Sequence, residues 1–271
     1  ALYYNTTGGY NTALGANALN KNTTADNNTA VGYDAGYSNT TGTQNTALGR
    51  VAMRTNTTGN YNVSVGSVAL YYNTTGSNNT ALGTDALNNN TTASNNTAVG
   101  YQAGLNNTTG EYSTMVGWAA GYANTTGSIE AFGAGALDAN TTGTFNAALG
   151  RSALTSNTTG NNNVAIGYAS LLLNTTASNN TAVGYRAGYT NQTGFENVFI
   201  GNGSGYSSTS NRNTMVGNGA GYSSTGEKNT FVGANGTSGG CGEAMTTGSK
   251  NTILGGYTGN QGGLDIRAAS N

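Results

Sequence analysis

The chain has 271 residues, only 7% of them are charged, and the formal net charge at pH 7 is −1. Because typical soluble domains carry about 25% charged residues, this composition argues against an ordinary globular domain. The Lys and Arg residues form no cluster that would attract nucleic acid, and no apolar run approaches the roughly eighteen residues of a membrane span. We therefore expect no nucleic-acid partner and no membrane insertion.

The composition also argues against disorder, because 35% of the residues are hydrophobic. Proline is absent, as a long backbone ladder requires, and glycine occurs 44 times. Cys241 is the single cysteine, so no disulfide can form within the chain. A regular, repetitive fold is the expected outcome.

A seventeen-residue repeat runs along the chain. The sequence Asn-Thr-Ala-Leu-Gly at 11–15 returns as Asn-Thr-Ala-Val-Gly at 28–32 and as Asn-Thr-Ala-Leu-Gly at 45–49. Numbered from this Asn, the consensus is N-T-A-(L/V)-G-x-x-A-(L/G)-x-x-N-T-T-(G/A)-x-x. The glycine at position 5 recurs fifteen times, from Gly15 to Gly255, which predicts about fifteen coils.

Position 4 is always large and apolar, so we expect it to form the structural core. Its predicted core members are Leu14, Val31, Leu48, Val65, Leu82, Val99, Val116, Leu149, Ile166, Val183 and Ile200. Position 5 supplies predicted turn glycines at Gly15, Gly32, Gly49, Gly66, Gly83 and Gly100. Position 12 predicts an Asn ladder through Asn22, Asn39, Asn56, Asn73, Asn90 and Asn107.

Position 9 alternates between a bulky residue such as Leu19 and a glycine that usually precedes Tyr, as in Gly36-Tyr37. We interpret this alternation as volume compensation, in which either a Leu or a folded-over Tyr ring covers the same part of each coil.

These patterns predict an all-β, parallel β-solenoid of about fifteen coils, each with two short strands and two turns, stacked at a spacing of roughly 4.8 Å. Residues 1–255 form the repeat array, and 256–271 break the pattern as a transition to a different module or a tail. Because residues 1–10 repeat the second half of a coil, we expect an uncapped segment of a longer chain.

The repeat resembles the head domains of trimeric autotransporter adhesins, whose coils carry a similar Asn-Ser-Val-Ala-Ile-Gly element. It is equally similar to bacteriophage tail fibres with Asn-Thr-Ala-Leu-Gly and Asn-Thr-Thr-Gly arrays. The resemblance covers nearly the whole chain and implies a left-handed β-roll, a homotrimer of chains packed side by side, and attachment to a host surface. The implied location is a virion or a bacterial cell surface.

The sequence offers little for catalysis. It has no His, and its ten acidic residues are dispersed, with Asp34 and Asp85 three coils apart. We expect no enzyme activity, no metal and no cofactor.

Aromatic residues at position 6 include Tyr33, Tyr101, Trp118, Tyr168 and Tyr185. They could contact a host-surface glycan or protein receptor, or cover neighbouring coils or subunits.

The sequence is compatible with three functions. The favoured one is a structural or adhesive fibre segment that presents or spaces a host-attachment site. The second is an ice-binding solenoid, suggested by the adjacent Thr columns at positions 13 and 14, such as Thr23 and Thr24. The third is a polysaccharide-degrading tail protein.

Overall fold

The structure, a computed structural model, describes residues 1–234, 240–243, 245–258, 260–261 and 264–265. These residues confirm the all-β, parallel β-solenoid, with fifteen parallel strands in sequence order in the main sheet. The strands are β1 Thr12–Leu14, β2 Thr29–Val31, β3 Thr46–Leu48, β4 Val63–Val65, β5 Thr80–Leu82, β6 Thr97–Val99, β7 Thr114–Val116, β8 Ile129–Phe132, β9 Asn146–Leu149, β10 Val164–Ile166, β11 Thr181–Val183, β12 Val198–Ile200, β13 Thr214–Val216, β14 Thr230–Val232 and β15 Thr252–Leu254.

Equivalent repeat positions stack directly on one another. Leu14 pairs with Val31, and Val31 pairs with Leu48. By contact density the chain divides into two compact units, which are Ala1–Gly135 with Asn140–Thr142, and Ala136–Ala139 with Gly143–Asn271. We call them the N-terminal and the C-terminal unit and describe each by itself.

The end of the chain contains a short antiparallel pair, β16 Asn260–Gln261 with β17 Leu264–Asp265. We also predicted a change of module at 256–271. Residues 259, 262–263 and 266–271 of this range lie outside the described part of the chain.

Each coil contains one strand, and not the two that we predicted. In the second half of the coil, backbone donors alternate between neighbours: the Leu19 N–H donates to the Ala35 carbonyl of the next coil (3.0 Å), whereas the Asn20 N–H donates to Asn17 in its own coil (3.2 Å). This alternation accompanies positive φ at positions 7 and 9, with 58° at Asn17 and 48° at Leu19. A β ladder needs consecutive extended residues, so the segment forms linked turns.

The predicted turn glycines at position 5 all have positive φ, as Gly15, Gly32, Gly49, Gly66, Gly83 and Gly100 lie between 133° and 140°. A Cβ at Gly49 would collide with the carbonyl group of Gly66 in the next coil. Glycine at this position therefore serves both the backbone conformation and the close approach of successive coils.

The Asn ladder at position 12 is confirmed and lies inside the coil. Asn56 is fully buried, and its Nδ2 donates to Asn39 Oδ1 (2.8 Å) and to the Gly59 carbonyl (3.0 Å). Its Oδ1 accepts from Asn73 Nδ2 at 2.8 Å. Asn22, Asn90 and Asn107 belong to the same buried column.

A second Asn column at position 1 reinforces the first. Asn28 Oδ1 accepts from the Asn45 backbone N–H (2.9 Å), and Asn45 Nδ2 donates to the Gly59 carbonyl at 2.8 Å. One carbonyl at position 15 thus connects both columns. Because buried amides need partners, this arrangement replaces part of an apolar core by a hydrogen-bonded polar one, which is satisfied at Asn45 and Asn56.

The predicted apolar core at position 4 is wrong. Leu14, Val31, Leu48, Val65, Leu82, Val99, Val116, Leu149, Ile166, Val183 and Ile200 are all exposed or half-buried. Successive strand residues point to opposite sides, so a three-residue strand with position 3 inward turns positions 2 and 4 outward. The interior instead contains Ala at positions 3 and 8 and the bulky residues of position 9, as Ala47, Ala52 and Met53 show.

Volume compensation occurs, but the Tyr rings do not provide it. A Cβ at Gly188 would lie 2.6 Å from the Phe199 ring, and one at Gly104 would lie 2.7 Å from Met115 Cε. Large residues at position 3 therefore fill the space that a position-9 Leu occupies in other coils. Tyr37, the ring that we expected to cover Gly36, is only half-buried, and a Cβ at Gly36 would meet Leu19 Cδ2 at 3.0 Å.

Candidate interaction surfaces

The outer side of the parallel sheet carries a continuous apolar column in each unit. We call these position-4 side chains the outer apolar column. In the N-terminal unit they are Leu14, Val31, Leu48, Val65, Leu82, Val99, Val116 and Phe132, and in the C-terminal unit Leu149, Ile166, Val183, Ile200, Val216, Val232 and Leu254. Leu14 is 67% exposed, Leu149 53% and Leu82 46%.

Position 2 adds a second outward row beside this column, mostly of Thr side chains such as Thr80 and Thr97. Glu130 replaces Thr in β8, where it is exposed, and partial desolvation by its neighbours raises the pKa of its carboxyl group. The outer face of the sheet is therefore nearly uncharged, which distinguishes it from an ordinary solvated surface.

The candidate glycan-contact aromatics are exposed but do not form one site. Tyr33, Tyr101, Trp118 and Tyr185 are between 47% and 60% exposed. Tyr185 stacks on Tyr168, with ring centroids 5.4 Å apart. Among the described residues, no other aromatic ring contacts Tyr33, Tyr101 or Trp118.

A further aromatic column, at position 10, escaped the sequence interpretation. Tyr189 stacks on Tyr206 at 5.0 Å, and Tyr206 stacks on Tyr222 at 4.8 Å, with interplanar angles of 1° and 3°. The signal was the Gly-Tyr pair at the same position of three successive coils. Parallel stacking at the coil spacing explains these rings better than the predicted filling of the coil.

Two arginines pack against Tyr rings in different ways. Arg54 in the N-terminal unit lies over Tyr37 (5.2 Å) and Tyr71 (5.9 Å), and its Nε donates to Asp34 Oδ2 at 3.1 Å. The hydrogen bond from Arg54 to Asp34 raises the pKa of the guanidinium. Its positive charge therefore has a fixed counter-charge.

Arg186 in the C-terminal unit lies 5.1 Å from the Tyr185 ring centroid and 5.3 Å from that of Tyr189. Its Nε is buried without a hydrogen-bond partner. The ion pairs found in the described part of the chain join Arg54 to Asp34, Arg212 to Glu196 and Lys228 to Glu227. Arg186 thus differs from Arg54 in lacking a carboxylate partner.

The threonine columns at positions 13 and 14 have different surroundings. Thr40, at position 13, is half-buried, and its Oγ1 donates to the Thr57 carbonyl of the next coil at 3.0 Å. Thr41, at position 14, is exposed. Residues of positions 11 and 13 line an open groove of about 550 Å³, namely Thr55, Tyr72, Thr74, Asn89, Thr91 and Thr108.

Groups suited to metal binding or catalysis do not converge within the described residues, since no cluster of three His, Cys, Asp or Glu side chains occurs there. Cys241 is buried, its Sγ donates to the Ile253 carbonyl (3.3 Å), and burial raises the pKa of the thiol. In the same part of the chain, no helix is long and apolar enough to cross a membrane.

The surfaces with interaction potential are thus the outer apolar column, the exposed aromatics and the Arg186 cluster. Comparison with known proteins assigns none of them, because no protein-family model, no curated protein and no solved structure matches this chain.

Proposed function

We propose that this chain is a structural and adhesive fibre segment, in which three copies pack side by side and hold an attachment site on a virion or a bacterial surface. The outer apolar column is the observation that carries this proposal. The number three and the location come from the resemblance to adhesin heads and tail fibres.

A second copy of the chain is the occupant that best fits this column. Isolated exposed apolar residues are ordinary, but a contiguous apolar surface on a folded protein usually marks an interface. Within each unit the column repeats one chemistry at every coil, and a partner with the same repeat would present matching ridges at the same spacing. Self-association is the simplest way to bury such a periodic apolar surface.

Native mass spectrometry of the chain, together with light scattering after gel filtration, tests the proposal. We expect a trimer for the natural sequence. Leu82→Asp should shift the mass towards the monomer, because three carboxylates would be brought together in an apolar interface. Thr75→Asp is the matched control, since Thr75 is exposed at position 14 on a different part of the same unit.

A natural chain that stays monomeric at micromolar concentration would overturn the side-by-side fibre. Loss of the trimer in Thr75→Asp as well would show that an added charge acts elsewhere than at the outer apolar column.

The ice-binding alternative loses support from the position of the threonines. A flat ice-binding face needs two outward hydroxyl rows, whereas at positions 13 and 14 the first hydroxyl is engaged, as at Thr40. Thermal hysteresis of the purified chain would reverse this preference. Polysaccharide degradation also remains a hypothesis, and release of reducing sugar from host glycans would favour it.

A further inference from the structure

One group of side chains in the C-terminal unit combines unneutralised positive charge with tyrosine rings. We call Arg151, Tyr168, Tyr185, Arg186 and Tyr189 the Arg186 patch. Arg151 lies 6.0 Å from the Tyr168 ring centroid, and Tyr168 stacks on Tyr185. Arg186 connects Tyr185 to Tyr189, the first ring of the stacked column at position 10.

The two positive charges of this patch are not neutralised by a carboxylate within the described part of the chain. Neither Arg151 nor Arg186 forms an ion pair with a carboxylate among the described residues. Arg186 also keeps a buried Nε without a partner, which costs free energy relative to a satisfied donor. Arg54, by contrast, shows that a coil of this repeat can place an Asp beside an arginine on tyrosine rings.

The tyrosine rings in the patch offer edges and hydroxyl groups more than open faces. Tyr168 and Tyr185 cover each other, and Tyr189 is covered by Tyr206. Tyr168 and Tyr185 are nevertheless 42% and 47% exposed. A ligand would therefore meet a row of phenolic hydroxyls, which donate and accept hydrogen bonds, beside two guanidinium groups.

We propose that the Arg186 patch binds an acidic saccharide, with a sugar carboxylate on Arg186 and sugar hydroxyls on the tyrosine edges. Guanidinium groups pair well with carboxylates, and phenolic hydroxyls suit a ligand rich in hydroxyls. A nucleic acid fits less well, because two cations give a weak electrostatic footprint. This inference rests on the proposed function as an attachment fibre, and it names the class of receptor.

Isothermal titration calorimetry with a hexamer of galacturonic acid tests the inference on the full chain. The methyl-esterified hexamer is the matched neutral probe, and inorganic sulfate is the probe for an unspecific anion site. We expect the acidic hexamer to bind and the neutral one to bind at least tenfold more weakly. Binding should weaken further with added salt, because the contact is partly ionic.

Arg186→Gln should weaken binding of the acidic hexamer at least tenfold, which corresponds to about 1.4 kcal/mol. Arg186→Lys keeps the charge and should retain more affinity than Arg186→Gln. Arg54→Gln is the matched control, because the charge of Arg54 is already paired with Asp34. Arg54→Gln should leave binding unchanged.

Absence of binding, equal binding of both hexamers, or full binding by Arg186→Gln would overturn the inference. Sulfate that competes as strongly, mole for mole, as the hexamer would reduce the patch to a simple anion site. Native mass spectrometry of the same samples separates this result from the fibre proposal. A trimer that does not bind refutes the saccharide site alone, and a monomer that binds refutes the fibre alone.

Discussion

Two coils of the solenoid fill the same interior in opposite ways. The coil at 45–61 places Ala47 at position 3 and Met53 at position 9, whereas the coil at 197–212 places Phe199 and Gly205 there. Large and small residues have exchanged places across the coil. Each of these two coils therefore fills its interior with one large and one small residue, although the position of the large residue differs.

The hydrogen-bonded Asn residues of the interior cannot be moved to another position in this way. In the first coil, Asn56 continues the ladder in both directions. In the second coil, Ser208 occupies position 12, and its Oγ and the Oδ1 of the preceding Asn191 are both buried without partners. Apolar volume can move between positions because packing has no direction, whereas a hydrogen-bonded column needs an amide at every level.

The substitution with the largest expected effect on stability is Phe199→Ala. The substitution empties the space between Gly188 and Gly205, where the ring now fills the interior. We expect a loss of about 4 kcal/mol in the free energy of unfolding, measured by urea denaturation, because a buried cavity replaces an aromatic ring.

Adding Gly205→Leu to Phe199→Ala recreates the arrangement of the Ala47 and Met53 coil and should recover at least half of this loss. Leu tolerates the backbone there, since Leu19 has φ 48° and Gly205 has φ 58°. Gly205→Leu alone should destabilise the chain, because its Cβ would collide with the Phe199 ring. Equal stability of the single and double Phe199 variants would refute volume exchange.

The next largest effect concerns the ladder. Asn56→Ala removes three buried hydrogen bonds and should cost about 3 kcal/mol. Asn191→Ala is its counterpart near the end of the ladder, where Nδ2 donates only to the Gly194 carbonyl and Oδ1 has no partner. We expect about 1 kcal/mol there. Equal shifts of the two urea midpoints would contradict the cooperative ladder.

The smallest expected effect is an increase in stability. Ser208→Asn offers an Nδ2 donor to the buried Asn191 Oδ1 and should satisfy that oxygen. We expect a stabilisation of about 1 kcal/mol, seen as a higher urea midpoint. Thr41→Asn, at an exposed position 14, is the control and should change the midpoint little. A lower midpoint for Ser208→Asn would show that this coil cannot accommodate the amide.

Much of the fold could be predicted from the repeat, because identical residues at a fixed period must occupy identical environments. The parallel stack, the glycines at Gly15 and Gly32 and the ladder through Asn22 and Asn39 all follow from that. The exchange of large and small residues between positions 3 and 9 can also be read from the sequence, since Met115 and Phe199 each share a coil with a glycine at position 9. The compensating residue lies in the strand of the coil, and not beside the glycine as we predicted.

The repeat period alone determined which residues stack on which, because only a fixed spacing keeps equivalent positions in register. The tertiary structure alone decided which side of the strand faces inward. Ala30 lies inside and Leu14 outside, because successive strand residues point to opposite sides and the folded coil turns position 3 inward. Likewise, only the folded chain brings Arg186 to rings on both sides of it, because contacts of one charge with two tyrosines depend on turn geometry and not on the repeat period.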